Sequence, residues 1–251
     1  MQANQQLQQI RDWAEHNLNE VASLYGSKII KDIDDKVFRI FNNNINGITT
    51  ACNGDEFLEE LTILKEFNVS AATLTETNTN WNIPGVYEDV KGKRNKVLER
   101  NKLVMSNSYD RTKTKYQPGG TATLITSKSV QRISNAGSDC LGRWFYVTLK
   151  GKNGRKITLV TAYRVCPNTL ATAGPTTCWM QQWRALRKKG VEEPDPRLQF
   201  MEDFESFLEN RLNKGEELIV GIDINKENAE GADICRLCTS LDLVDVHNHL
   251  H

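Results

Sequence analysis

Four stretches of this chain carry side chains able to handle a phosphate or a hard metal ion: Asn44 and Asn46, Glu76, Tyr163 with Arg164, and Asp223 with Asn225. Hard divalent cations take oxygen ligands, and magnesium is held by one or two carboxylates, several waters and a substrate phosphate. Glu76 and Asp223 suit that pairing. No His/Cys cluster joins them, which argues against zinc at this place. Arg164 adds a planar, permanently charged fork beside Tyr163, a geometry suited to phosphate.

Each of these groups follows a short apolar, β-branched run. Val37–Phe41 leads into Asn42–Asn46, Val69–Leu74 into Thr75-Glu76-Thr77-Asn78, Ile157–Val160 into Thr161–Arg164, and Leu218–Ile222 into Asp223-Ile224-Asn225. Such runs read as buried strands. Ligands gather where loops leave the ends of several strands, so these four ends are candidates for one site. Further strands are expected at Gly120–Ile125 and Trp144–Leu149, the latter joined to the strand at Ile157 through the turn Lys152-Asn153-Gly154, a hairpin signal.

Helices fill the intervals. Asp55–Phe67 carries Phe57, Leu58, Leu61, Ile63 and Leu64 on a stripe. Asp195 and Pro196 open another, striped by Leu198, Met201, Phe204, Phe207 and Leu208 and followed by Gly215. A third spans about Gly231–Ser240. Ile10–Ile30 reads as an amphipathic helix that either covers an edge of the domain or belongs to a leader, so the chain divides into a helical leader over 1–34 and one domain over 35–251. Lys91–Arg100 and Pro167–Gly174 read as loops. Strands alternating with helices, with hairpins mixed in, suggest an α/β (α+β) fold, either a mixed sheet or two packed sheets with helices outside.

The segments Asn44-Ile45-Asn46-Gly47, Leu74-Thr75-Glu76-Thr77, Thr161-Ala162-Tyr163-Arg164 and Gly221-Ile222-Asp223-Ile224-Asn225 follow one another in an order that resembles the DNase-I-like endonuclease/exonuclease/phosphatase superfamily. The likeness is to its apurinic and retrotransposon endonuclease branches. Gly119-Gly120-Thr121-Ala122, Gly142-Arg143-Trp144 and Leu241–Asp245 also look like family features, so the resemblance covers about Val37–Val246. It implies a four-layer sandwich, two mixed β-sheets face to face flanked by helices. It also implies Mg²⁺, with Mn²⁺ able to replace it, and hydrolysis of a phosphodiester, most simply by a DNA endonuclease of a retroelement. By matching position, Glu76 would be the principal metal ligand and Asn44 its support. Asn46 stands where relatives often have Asp. Asp223 would orient or deprotonate the attacking water, and Asn225 and Tyr163 would hold phosphate oxygens. The family closes with a strand bearing a further Asp and then a Ser-Asp-His motif. This chain ends at His251 without them, so the resemblance implies a sandwich lacking its C-terminal strands and its catalytic histidine. Two other readings stay open: a phosphatase of a small phosphate ester or lipid on the same fold, and a non-catalytic nucleic-acid-binding or decayed domain.

Composition excludes some classes. With 251 residues, 39% hydrophobic and 25% charged, the chain is an ordinary globular protein, and its formal net charge of zero gives no global basic field. Contact with nucleic acid would have to come from local clusters: Lys91, Lys93, Arg94 and Lys96; Arg111, Lys113 and Lys115; or Arg184, Arg187, Lys188 and Lys189. Trp81 could stack on a base or simply pack. Neither a signal peptide nor a membrane-spanning run is present in the sequence, so nucleus or cytoplasm is expected, with its six cysteines reduced. Cys235-x-x-Cys238 superficially suggests zinc, but Ile234, Leu237, Cys238 and Leu241 form a helical stripe, so Cys238 reads as a small core residue. The other four cysteines show no pattern. Oligomeric state has no sequence signal.

Overall fold

The structure is a computed structural model that describes residues 37–48, 55–106, 114–225 and 232–246. The expected leader and its helix lie outside these residues. Eight strands form two four-stranded sheets. In the first, β1 (Ile40–Asn44), β2 (Ala71–Thr75), β4 (Thr121–Thr126) and β3 (Asn101–Met105) lie in that order. In the second the order is β5 (Ile133–Ser138), β6 (Trp144–Lys150), β7 (Lys156–Tyr163) and β8 (Glu216–Asp223). Both sheets are mixed. β1–β2 and β7–β8 are parallel pairs and the other neighbours are antiparallel. Five α-helices, α1 (Asp55–Glu66), α2 (Val86–Val97), α3 (Cys178–Lys188), α4 (Pro196–Leu212) and α5 (Ala232–Ser240), and two short 3₁₀ helices, Ser127–Arg132 and Lys152–Gly154, complete the described residues.

The sheets pack face to face, as the resemblance implies. Alternation along each strand sends successive side chains to opposite faces. Ala71, Ile125, Phe145, Val147, Leu149 and Leu159 meet in one cluster between the sheets. The opposite faces are apolar too. Ala72, Leu74, Ala122 and Leu124 pack under Phe57, Leu61 and Leu64 of α1. Trp144, Val160 and Ala162 pack under Phe200, Met201, Phe204 and Leu208 of α4 and Leu237 of α5. The Trp144 ring meets Phe200 edge-on at 5.8 Å and tilts against Phe204 at 5.2 Å, where aromatic pairs are favourable. Four layers result, each apolar face covered, with about 25 cal/mol contributed per Å² of apolar surface removed from water.

Most expected elements are present, with α4 capped by the Asp195 carboxylate, which accepts from the backbone N–H of Arg197 and Leu198. Cys238 is half-buried on α5, while Cys235 is exposed. Two assignments change. β1 continues through Asn42–Asn44, beyond the apolar run Val37–Phe41, because the parallel register Asn42↔Thr73, Asn43↔Leu74 and Asn44↔Thr75 carries the ladder past it. Lys91–Arg100, expected as a loop, is mostly the second half of α2. Its buried face is Val86, Val90 and Arg94, at i, i+4 and i+8. Arg94 is only 2% exposed and bonds Asn101 Oδ1, so its stem fills an apolar position. No helix of the described residues is long and apolar enough to cross a membrane.

Candidate active site

The layer between the sheets changes character along its length. The apolar cluster at one end gives way to Thr73, Thr75, Thr121, Thr123 and Thr161, all buried. These hydroxyls satisfy one another or nearby groups. Thr123 Oγ1 and Thr161 Oγ1 lie 2.7 Å apart across the two sheets, and Thr73 Oγ1 donates to Asn42 Oδ1 at 2.9 Å. Buried polar atoms need such partners. This polar end is where the parallel pairs β1–β2 and β7–β8 finish.

Two glycines shape this end. A Cβ on Gly221 would overlap Thr73 Oγ1 and come within 2.7 Å of Asn42 Oδ1, so β8 can approach β1 and β2 only without a side chain there. Gly120, at φ +86°, precedes β4, and a Cβ there would come within 2.7 Å of Thr77 Oγ1. Its carbonyl accepts the N–H of Thr77, and that of Gly119 accepts the N–H of Asn78. These bonds pin the two residues that follow Glu76, which itself takes a left-handed backbone at φ 49°. Asn46, Asn78 and Asn225 are also left-handed, at φ 45°, 46° and 46°. Asparagine tolerates that region; glutamate does so less readily, and such strain persists only where the surroundings hold it.

The four segments meet. Asn44 Nδ2 on β1 donates to Asp223 Oδ2 on β8 at 2.8 Å, a hydrogen bond between the two sheets. Tyr163 stands opposite Asp223 in the β7–β8 register, and its hydroxyl lies 4.0 Å from Cys166 Sγ, close enough to Glu76 to feel its charge. Burial pushes the Tyr163 hydroxyl's pKa far above its ordinary value, with added push from Cys178, Glu76 and Cys166, so it stays protonated. Asp223 Oδ1 accepts the backbone N–H of Asn225 at 3.0 Å, a tight turn that aims both side chains together. Asn225 Nδ2 donates to the Arg164 carbonyl at 2.8 Å, and its Oδ1 lies 3.2 Å from Cys166 Sγ. An open cavity of about 740 Å³ is lined by Asn42, Asn43, Asn44, Thr75, Cys166, Asp223 and Asn225, among others.

Other expected residues fall elsewhere. The Arg164 guanidinium, expected on a phosphate, is buried instead. Its Nη2 donates to Asp233 of α5 at 3.1 Å, and only 4% of the side chain is exposed. Strand alternation accounts for this: Tyr163 points into the inter-sheet layer, so Arg164 leaves toward the helices. Trp81 packs against the α1 core cluster. Of the basic clusters, Lys91 and Lys93 pair with Glu88 and Asp89 on their own helix. Lys115 is exposed, while Arg111 and Lys113 lie outside the described residues. Arg187 lies over the Trp183 ring, and Lys189 Nζ is 3.0 Å from Cys140 Sγ. Two further residues join the site: Cys166, which lacks any spacing partner in the sequence, and Asn78, which stands in the Glu76 segment but whose amide contact with Asn46 has no local signal.

Among the described residues no group of three or more His, Cys, Asp or Glu side chains is gathered for a metal. The oxygens on offer are two carboxylates, Glu76 and Asp223, with the amides of Asn44 and Asn46. That set fits a magnesium-like ion that keeps several waters, and does not fit a caged zinc or calcium site.

No protein-family sequence model matches the chain, and no curated protein does. Solved structures do match its fold. The human Nocturnin catalytic domain with bound sulfate superposes at a TM-score of 0.54 with 15% identity, covering 85% of this chain and 73% of that one. An endonuclease/exonuclease/phosphatase family protein from Leptotrichia buccalis gives 0.51 with 13% identity over 82% and 74%. An AP endonuclease from Archaeoglobus fulgidus gives 0.51 with 12% identity over 82% and 70%.

Proposed function

We propose, for a chain that carries the DNase-I-like fold of the endonuclease/exonuclease/phosphatase superfamily, that it hydrolyses phosphodiester bonds of nucleic acid, DNA in the first place, with a divalent cation. The observation that carries this reading is the Asn44–Asp223 hydrogen bond between the sheets. It joins residues 179 positions apart at the rim of one open cavity that Thr75, Cys166 and Asn225 also line. Glu76, with the amide oxygens of Asn44 and Asn46, would hold Mg²⁺ or Mn²⁺, which would neutralise charge developing on the phosphate.

The chain's own residues do the rest. Asp223 is a carboxylate whose two oxygens are oriented by Asn44 and by the Asn225 N–H, so a water at its open lone pairs is aimed and can lose a proton to it. Asn225 has a second amide hydrogen beyond the one given to Arg164, and this can meet a non-bridging phosphate oxygen. Tyr163 keeps its proton, held on its oxygen by burial. Its hydroxyl can therefore donate to a non-bridging phosphate oxygen. Buried Arg164 acts by tying β7 to α5. All four histidines lie outside the described residues, so no imidazole is assigned a step.

The finer reading, an endonuclease of a retroelement, rests on the segment resemblance alone. The test is relaxation of supercoiled plasmid in Mg²⁺, with EDTA as control. Nicking that Glu76→Ala and Asp223→Ala each abolish supports the proposal. Phosphate release from soluble esters without nicking would replace it with a phosphatase. Salt-sensitive DNA binding without cleavage would replace it with a binding domain.

A further inference from the structure

Four hydrogen bonds run in one direction into Asp223. The Gly119 N–H donates to Asn78 Oδ1 at 2.8 Å. Asn78 Nδ2 donates to Asn46 Oδ1 at 3.3 Å. The Asn46 N–H donates to Asn44 Oδ1 at 3.1 Å, and Asn44 Nδ2 donates to Asp223 Oδ2 at 2.8 Å. Amide side chains can ordinarily be turned over, because oxygen and nitrogen have similar shapes. Here both ends forbid it. A backbone N–H only donates, so Asn78 must show its oxygen to Gly119 and its nitrogen to Asn46. An ionised carboxylate only accepts, so Asn44 must show its nitrogen to Asp223. The Asn46 N–H fixes Asn44 from the other side. Turning any one amide would set donor against donor or acceptor against acceptor. Bonds aligned in this way strengthen one another.

We propose that Asn78 is a positioning residue for the site described above: from its buried place its Nδ2 holds the Asn46 side chain and so steadies the left-handed turn at Asn46, whose backbone N–H sets the amide of Asn44, so that Asp223 is held with one oxygen turned to its water. The proposal rests on that reading of Asp223. Asn78 is 7% exposed, and its own backbone is independently secured, its N–H on the Gly119 carbonyl and its C=O on the Gln117 N–H. Its side-chain oxygen also ties it to Gly119, so the part of the side chain free to act on the site is Nδ2, which is given to Asn46. The chain of amides carries no charge before Asp223, so it orients the carboxylate without neutralising it.

Asn78→Asp is the discriminating variant: it keeps an oxygen for Gly119 and removes the donor toward Asn46. Asn78→Ser, smaller and neutral, serves if the buried charge unfolds the protein. The first measurement needs no activity. In metal-free protein the side-chain NH₂ resonances of Asn44, identified by their loss in Asn44→Asp, should move in the Asn78 variant while backbone resonances of β6 stay in place. Unmoved Asn44 resonances in a folded variant would overturn the proposal, whether or not the chain cleaves DNA. The second measurement is plasmid nicking. Asn78→Asp should lower kcat about tenfold with KM little changed, the size expected for a misaimed group. In an Asn44→Ala background it should cost nothing further, because the relay is already cut. Equal losses in both backgrounds would assign Asn78 a structural role only and overturn the proposal. If the parent protein fails to nick, the proposed function falls while the resonance measurement still decides the relay.

Discussion

Gly221→Ala tests the close approach of the two sheets on which the site depends. Gly221 stands two residues before Asp223, on the face of β8 turned to β1 and β2. A methyl group there overlaps Thr73 Oγ1 and comes within 2.7 Å of Asn42 Oδ1 and 3.0 Å of Thr73 Cβ. Thr73 cannot easily give way. It is 1% exposed, and its hydroxyl is bonded to Asn42 Oδ1 and, at 3.2 Å, to the Phe41 carbonyl. Overpacking of this kind costs about 1–3 kcal/mol. The alanine recovers about 0.4–1 kcal/mol by restricting the unfolded chain. A net loss of about 2 kcal/mol at the upper end lowers Tm by about 4–8 °C in a protein of this size. Thr73→Ala alone should cost about 1 kcal/mol, from its lost hydrogen bonds. It also opens the space the new methyl needs, so the double variant should be more stable than the summed losses by about 1 kcal/mol. Thermal unfolding followed by circular dichroism measures all four proteins. Plasmid nicking should fall in Gly221→Ala, since a displaced β8 separates Asp223 from Asn44, and recover in part in the double variant. A Gly221→Ala protein more stable than its parent, or strictly additive losses in the double variant, would refute the described contact between the sheets.

Three further outcomes are expected. Cys166→Ala removes the thiol that faces Asn225 Oδ1 at 3.2 Å, and should lower nicking about threefold, as befits a weak donor, while Cys166→Ser should keep it. Burial on α1 raises the Glu60 carboxyl's pKa above its ordinary 4.5, with the hydrogen bond from Asn43 opposing the shift. The folded state therefore holds that proton more tightly than the unfolded state does. Its stabilising contribution is present below pH 4.5 and is lost as pH rises through the raised folded value. Glu60→Gln should accordingly raise Tm at neutral pH and give no such gain below pH 4.5, read from melting curves across that range. Arg143→Met strips the guanidinium from Asp139, whose side chain is 6% exposed and bonded at 2.7 Å. It should destabilise the protein by about 3–5 kcal/mol, measured by urea unfolding, because a buried carboxylate is left without its partner.

What could be read from the sequence is what local pattern controls. The four apolar runs announced β1, β2, β7 and β8 because β-branched residues in short blocks have few other uses, and each chemical group sat at the end of its run. α2 was hidden because Val86, Val90 and Arg94 make a face in which an arginine stem replaces an apolar residue. α3 was hidden because its buried face includes Gln181 and Gln182, and Gln181 is tolerated there by a 2.6 Å bond from Gln117, 64 residues away. Asn42–Asn44 lay beyond the apolar run because asparagine is a poor strand residue by itself; only the parallel partner Ala71–Thr75 makes it a strand.

The same distinction separates the site's membership from its wiring. Period-two alternation predicts that Tyr163 and Arg164 face opposite ways once β7 is known to extend through Tyr163. It cannot say which face meets the other sheet, and so Arg164 was expected on a phosphate when it belongs with Asp233. In the same way, Asn78 follows Glu76 by two residues and was visible in the segment, but nothing nearby in sequence reveals that its amide is fixed by Gly119 and spent on Asn46. A residue's chemical type is a local property. Which way an amide must face is a property of a hydrogen-bond chain fixed at both ends, and here that chain draws on residues from β1, β8 and the loops after β1, after β2 and before β4. For that reason, changing Asn78 is a sharper test of the site than changing either carboxylate: loss of Glu76 or Asp223 would be expected of many metal sites, whereas sensitivity of Asn44 to Asn78 is expected only of this one.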